Sequence, residues 1–127
     1  MPVHQTTIVP RFGELDPYNH VNHAAYIAYS EAARCVALDD IDMSLSDLSD
    51  RGLQIVVTKL EVKFREPATA RDELVVETYV HEMKRVSSTW KQQILRKSDK
   101  QTLVEAQLIL GVCDSGGRPT RPPADLN

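Results

Sequence analysis

The chain has 127 residues, 42% of them hydrophobic, a formal net charge of -3 at pH 7 and two cysteines. That length suits one domain over 1–127 with a modest core, for which oligomerisation would add useful burial. The slight acidity gives no reason to expect nucleic acid or an anionic membrane surface as a partner, and no run approaches the roughly 20 apolar residues of a membrane span.

Taken in order, the chain opens without an apolar run, which predicts no signal peptide. Thr6 to Arg11 reads as a short strand, with Ile8 and Val9 β-branched and Pro10 near its end. Arg11 to Asn22 is a loop. A helix follows from about His23 to Leu38, rich in alanine, with His23, Ser30 and Arg34 on one narrow stripe and Glu31 beside it. Apolar over most of its circumference, it is expected to be buried. Asp39 to Arg51 is polar, with Ser44, Ser46 and Ser49 as possible caps, and predicts a loop with one helical turn stopped by Gly52.

The period then changes to two. Leu60, Val62 and Phe64 alternate with Glu61, Lys63 and Arg65, and Pro67 marks a turn. Leu74, Val76, Thr78 and Val80 alternate in the next strand. Strands over Lys84 to Arg96 and Leu103 to Val112 follow, joined by the polar hairpin loop Lys97-Ser98-Asp99-Lys100. The tail over 115–127, rich in Gly and Pro, is expected to be extended or flexible. Cys35 and Cys113 lie in apolar contexts without metal-like spacing, which predicts reduced, buried thiols in a cytoplasmic protein. The order strand, helix, four strands predicts an α+β domain whose antiparallel sheet carries its helices on one face.

The chemistry concentrates between Asp16 and Arg34. Asn22 is a good N-cap, able to accept from the amides of Ala24 or Ala25. The first amides of a helix lack intrahelical partners and sit at the positive end of the helix dipole. A carboxylate seven residues before such a start can supply a base or nucleophile beside an oxyanion hole. Equally, Asp before Pro can simply cap a turn. His20 and His23, three apart, lack a third ligand at helical spacing, so no metal is expected. No Gly-rich phosphate cradle and no G-x-S-x-G elbow occurs, which argues against nucleotide triphosphate chemistry and the α/β-hydrolase route.

The stretch DPYNHVNHAAYIAYSEAAR resembles the signature D-x-x-G-H-V-N-N-x-x-Y-x-x-Y-x-E-x-x-R of the 4-hydroxybenzoyl-CoA thioesterase family. Asp16, His20, Val21, Asn22, Tyr26, Tyr29, Glu31 and Arg34 stand in place. Asn19 replaces the usual Gly, and Asn is the residue that best tolerates positive φ. His23 replaces a common second Asn.

The resemblance implies the hotdog fold, a long central helix wrapped by a five-stranded antiparallel sheet. It also implies a homodimer or homotetramer with sites at subunit interfaces. It implies hydrolysis of acyl-CoA to a carboxylic acid and free CoA, with no cofactor. Asp16 would be nucleophile or general base, and the His23 backbone N–H would polarise the carbonyl. Glu31 is the rival carboxylate, because a second hotdog lineage carries its catalytic Glu at that offset; its other reading is a buried structural pair with Arg34. Asn22 and Tyr26 would help shape the substrate site, and Lys84, Arg85 and Ser87 would contact the CoA. Arg65, Arg118 and Arg121 are weaker candidates for that contact. Other readings are a thioesterase acting on acyl-carrier-protein substrates, and a non-hydrolytic acyl-thioester binding protein.

Overall fold

A computed structural model describes residues 2–126. Five long elements of sheet carry the fold: β1 (His4–Ile8), β2 (Leu53–Phe64), β3 (Leu74–Met83), β4 (Ser87–Arg96) and β5 (Thr102–Asp114). A two-residue strand, β6 (Pro119–Thr120), makes the sheet six-stranded rather than five-stranded. The long strands lie in the order β1-β3-β4-β5-β2, all neighbours antiparallel, with β6 beside β5. Strands β1 and β2 are therefore the edges.

Helix α1 (His23–Asp40) lies over β1, β3 and β4. Alanines at 25, 33 and 37 are buried beneath it and let the sheet come close. Two apolar clusters form the core. One joins Tyr26, Tyr29 and Ala33 to Val76, Ile94 and Val104. The other joins Leu38, Met43 and Leu48 to Trp90, Leu108 and Leu126. Between them runs a row in register that is polar at Thr78 and Gln92 and apolar at Ala106 and Val62.

The helix is not buried all round. Ala24, Ile27, Ala28, Glu31, Ala32 and Val36 are exposed, while Ser30 is buried and Arg34 half-buried on the sheet side. With alanine so abundant, composition alone could not say which side the sheet takes. Because α1 sits mainly over β1, β3 and β4, part of the β2 side of the sheet stays open. Ile27 on the helix is 39% exposed, and Val56, Val57, Leu60 and Phe64 on β2 are 39% to 46% exposed.

Helix α2 (Leu45–Asp50) is the expected helical turn. Ser44 caps it through the Asp47 amide, and Gly52 follows at φ 72°, in the left-handed region where glycine costs least. The tail is extended in part, as its composition suggested. Beyond the turn at 115–117, β6 pairs with β5 and a 3-10 turn, Ala124–Leu126, buries Leu126 against the second cluster. One well-placed apolar side chain outweighs a Gly- and Pro-rich composition. Asn127 lies outside the described residues. Among the described residues no helix is long and apolar enough to cross a membrane.

Candidate active site

The segment before α1 closes on itself. Leu15 and Val21 form a β-bridge, and the Asp16 amide donates to the His20 carbonyl at 2.7 Å. Asn19 holds the turn at φ 61°, as its replacement of glycine requires. Asp16 Oδ1 accepts from the amides of Tyr18 at 2.8 Å and His20 at 3.0 Å. Asp16 does cap its own turn, but with one oxygen. Its Oδ2 has no hydrogen-bond partner among the described residues.

Asn22 fastens the helix start. Its Oδ1 accepts from the Ala25 amide at 2.8 Å, while its own amide (2.8 Å) and Nδ2 (2.9 Å) both donate to the Glu14 carbonyl. It is thus a cap and a tie between the helix start and the preceding loop. The N–H groups of His23 and Ala24 have no acceptor among the described residues. They are the open donors of the helix end. The His23 ring packs on Phe64, with ring centroids 4.3 Å apart.

A cleft of about 190 Å³ brings these groups together, lined by Asp16, His20, His23, Tyr26, Phe64 and Pro67. Its walls are braced from the segment after β2. The Tyr26 hydroxyl accepts from the Ala68 amide at 2.9 Å, the Ala68 carbonyl accepts from the Val21 amide at 2.8 Å, and His20 pairs with Thr69. Burial raises the Tyr26 phenol above its usual range; the Ala68 hydrogen bond opposes this, and the charges of Asp72 and Asp16 add to it. One turn later the Tyr29 hydroxyl donates to Glu14 Oε1 at 2.7 Å, and burial and that carboxylate hold its proton more tightly still.

Glu31 departs from expectation. It is exposed, and neither hydrogen-bonds nor ion-pairs with Arg34. Arg34 instead donates from Nη1 to Gln92 Oε1 at 2.9 Å; burial lowers its guanidinium pKa and the nearby Glu31 charge partly offsets this. Gln92, fully buried, donates to the Ser30 carbonyl at 2.8 Å and Thr78 Oγ1 at 2.9 Å. Glu31 does not line the cleft.

Lys84, Arg85 and Ser87 sit at the other end of the sheet. Ser87 opens β4, but Lys84 and Arg85 lie in the turn before it, closed by the Lys84 amide on the Ser87 carbonyl at 2.8 Å. Strand β3 runs from the cleft's end at Leu74 to that turn, a span of roughly 30 Å. These residues cannot reach the Asp16 of their own chain.

Phe64, Ala68 and Gln92 escaped sequence reading. Phe64 was legible only as one apolar position in an alternation. Ala68 acts through its backbone. Gln92 had a signal: it is a polar residue between the inward-facing Trp90 and Ile94, and a buried amide there needs partners.

With this geometry in view, likeness to other proteins can be stated. Residues 10–127 match the thioesterase-like superfamily. The chain is 31% identical over 109 residues to the long-chain acyl-CoA thioesterase FadM of Escherichia coli, covering 86% of this chain and 81% of that one. It is 27% identical over 123 residues to a chloroplastic acyl-acyl carrier protein thioesterase of Arabidopsis thaliana; that alignment covers 97% of this chain but 65% of the relative. Among solved structures, a thioesterase from Thermus thermophilus complexed with coenzyme A and Zn superposes with a TM-score of 0.81 at 27% identity, covering 98% of this chain and 88% of that one. A cleft with a carboxylate beside an open helix start, on a hotdog sheet matched over almost its whole length, places this chain in the thioesterase-like superfamily.

Proposed function

We propose that the chain hydrolyses acyl thioesters, with coenzyme A as the thiol, to a carboxylic acid and free CoA. The observation that carries this reading is that Asp16 and His23, whose amide has no acceptor among the described residues, line one cleft. Asp16 Oδ1 is committed to two amides, which hold the carboxylate in place, and Oδ2 faces the reaction. The thioester carbonyl oxygen takes the His23 N–H, where negative charge develops as the carbonyl is attacked. One such donor is worth about 3 kcal/mol at the transition state. Asp16 either attacks the carbonyl carbon, giving an anhydride that water cleaves, or takes a proton from the attacking water. The thiolate leaves and is protonated by solvent.

The site is completed by a second copy. Strand β2 presents an open edge and an apolar strip, and antiparallel pairing of two β2 edges makes a closed two-fold dimer. That pairing turns one sheet end for end against the other. Lys84, Arg85 and Ser87 of the partner subunit then come to the end where Asp16 stands. The solved thioesterase complexed with coenzyme A supports CoA as the substrate. The Arabidopsis relative supports the carrier-protein alternative. The two free cysteines fit a cytoplasmic location.

The test is release of free thiol from a panel of short, long-chain and aromatic acyl-CoAs, with Asp16→Asn beside the wild type. Turnover by the wild type that disappears in the variant supports the assignment. Turnover of no acyl-CoA, with turnover of acyl-carrier-protein thioesters, would move the reading to the alternative. Binding without any turnover would remove the hydrolase.

A further inference from the structure

Glu14 stands two residues before Asp16, outside every motif position read from the sequence. It closes the 3-10 turn Phe12–Glu14 and braces that turn by accepting from the Arg11 amide on Oε1 at 2.8 Å. The same oxygen accepts from the Tyr29 hydroxyl at 2.7 Å. The Glu14 carbonyl accepts from the Asn22 amide at 2.8 Å and from Asn22 Nδ2 at 2.9 Å. One residue therefore grips α1 at two heights. Its backbone holds the N-cap, and its side chain holds a position seven residues later, roughly 10 Å along the helix axis.

The grip matters because of what lies between. Residues 15–21 form a turn closed on itself by the Leu15–Val21 bridge, by the Asp16 amide on the His20 carbonyl and by the two amides on Asp16 Oδ1. A turn so closed moves as one piece. One limb runs straight into α1 through Asn22, and Ala68 and Thr69 brace it at Val21 and His20. The other limb, Leu15 and Asp16, follows directly from Glu14. Without that anchor the turn can swing about Asn22 and carry the Asp16 carboxylate away from the His23 N–H. The anchor itself is firm. Tyr29 is buried, and burial together with the Glu14 carboxylate keeps the proton on its phenol, so the donor stays in place.

We infer that Glu14 and Tyr29 are positioning residues for the hydrolysis: their bond fixes where the Asp16 carboxylate stands relative to the carbonyl held at the His23 amide. This rests on the thioesterase reading and deepens it. Neither side chain lines the cleft, so neither touches the substrate. Misplacing a reacting group by about 1 Å can cost on the order of 100-fold in rate. Contacts that bind the substrate are left as they were, so the loss falls on kcat rather than KM.

Thiol release from the best acyl-CoA of the panel is measured for Tyr29→Phe, Glu14→Ala, Glu14→Gln and Gln92→Leu beside the wild type, at a temperature where unfolding curves show each variant folded. Tyr29→Phe keeps the ring and removes only the donor. It should lower kcat about tenfold and change KM by less than about twofold. Glu14→Ala should fall at least as far. Glu14→Gln keeps an Oε1 that accepts from both Tyr29 and Arg11, and should hold kcat within about threefold. Gln92→Leu controls for stability alone: its hub lies beneath α1, outside the cleft, so it should lower Tm and spare kcat. Tyr29→Phe and Glu14→Gln are the small changes that decide the case if Glu14→Ala does not fold. Unchanged kcat in Tyr29→Phe, a loss in KM alone, a Glu14→Gln as slow as Glu14→Ala, or a kcat that falls equally in Gln92→Leu would each overturn the inference. Release from no acyl-CoA by the wild type would instead overturn the hydrolase reading, and this inference with it.

Discussion

Asp16 serves the fold with one oxygen and the proposed chemistry with the other, and two substitutions separate those duties. Asp16→Asn keeps an Oδ1 that can accept from the Tyr18 and His20 amides, now at 2.8 and 3.0 Å, and replaces only the free Oδ2. Asp16→Ala removes both acceptors. In a half-buried turn each amide bond to a carboxylate is worth about 1 kcal/mol, so Ala should cost about 2 kcal/mol and lower Tm by about 8 °C. Asn should cost less than about 0.5 kcal/mol, roughly 2 °C. Both should lose about 1,000-fold or more in kcat/KM, some 4 kcal/mol at the transition state. Thermal unfolding and thiol release on the same preparations give both numbers. A stable but inactive Asn variant assigns the loss to chemistry, because the turn that positions the residue is intact. An Asn variant that retains more than about a tenth of the wild-type kcat/KM would refute the catalytic assignment. An Asn variant as unstable as Ala would refute the division of labour between the oxygens.

Other outcomes follow from the same geometry. Glu31→Gln should change kcat/KM by less than about threefold, since Glu31 is exposed and outside the cleft; a hundredfold loss would exchange the roles of the two carboxylates. Gln92→Leu strands the Thr78 hydroxyl and an Arg34 N–H against the core, and should cost about 3 kcal/mol in urea unfolding, where a neutral result would deny the buried hub. The Tyr26 and Tyr29 phenols have folded pKa values raised above their unfolded value near 10, so their contribution is complete below about pH 10 and is lost as pH rises toward the folded values. Stability should therefore fall above about pH 10, and less steeply in Tyr29→Phe after allowing for its lost bond to Glu14. Gel filtration at micromolar concentration should give twice the 14.3 kDa chain mass, and Leu60→Glu on the open β2 strip should give the single-chain mass and lose turnover; an active single chain would end the interface reading.

What could be read in advance divides along a physical line. Local chemistry was legible: the Asn22 cap, the positive φ at Asn19 and the Ser44 cap each depend on a few neighbouring residues. Alternation in Leu74 to Val80 gave the buried face of β3 for the same reason. Long-range choices were not legible. The alanine-rich α1 offers several faces of similar cost, and only the sheet's order decides that Ser30 and Arg34 turn inward while Ile27 and Glu31 face out. The tail's Gly and Pro content described its turn but not Leu126, whose partners lie on α1 and β4. At the cleft, Asp16 and His23 lie only seven residues apart in the chain, whereas Phe64 comes to it from the far end of β2 and Ala68 bears on it only through its bond to Tyr26.

The same distinction explains why the sheet needs both of its ends. In an antiparallel sheet the two ends of a strand are separated by its whole length, so no single chain can bring its helix start and its β3–β4 turn to one substrate. In the dimer proposed above, a two-fold axis through the β2 edge sets each end beside the opposite end of the copy. In that dimer the apolar strip on β2 joins the copies and sets the β3–β4 turn of one beside the helix start of the other.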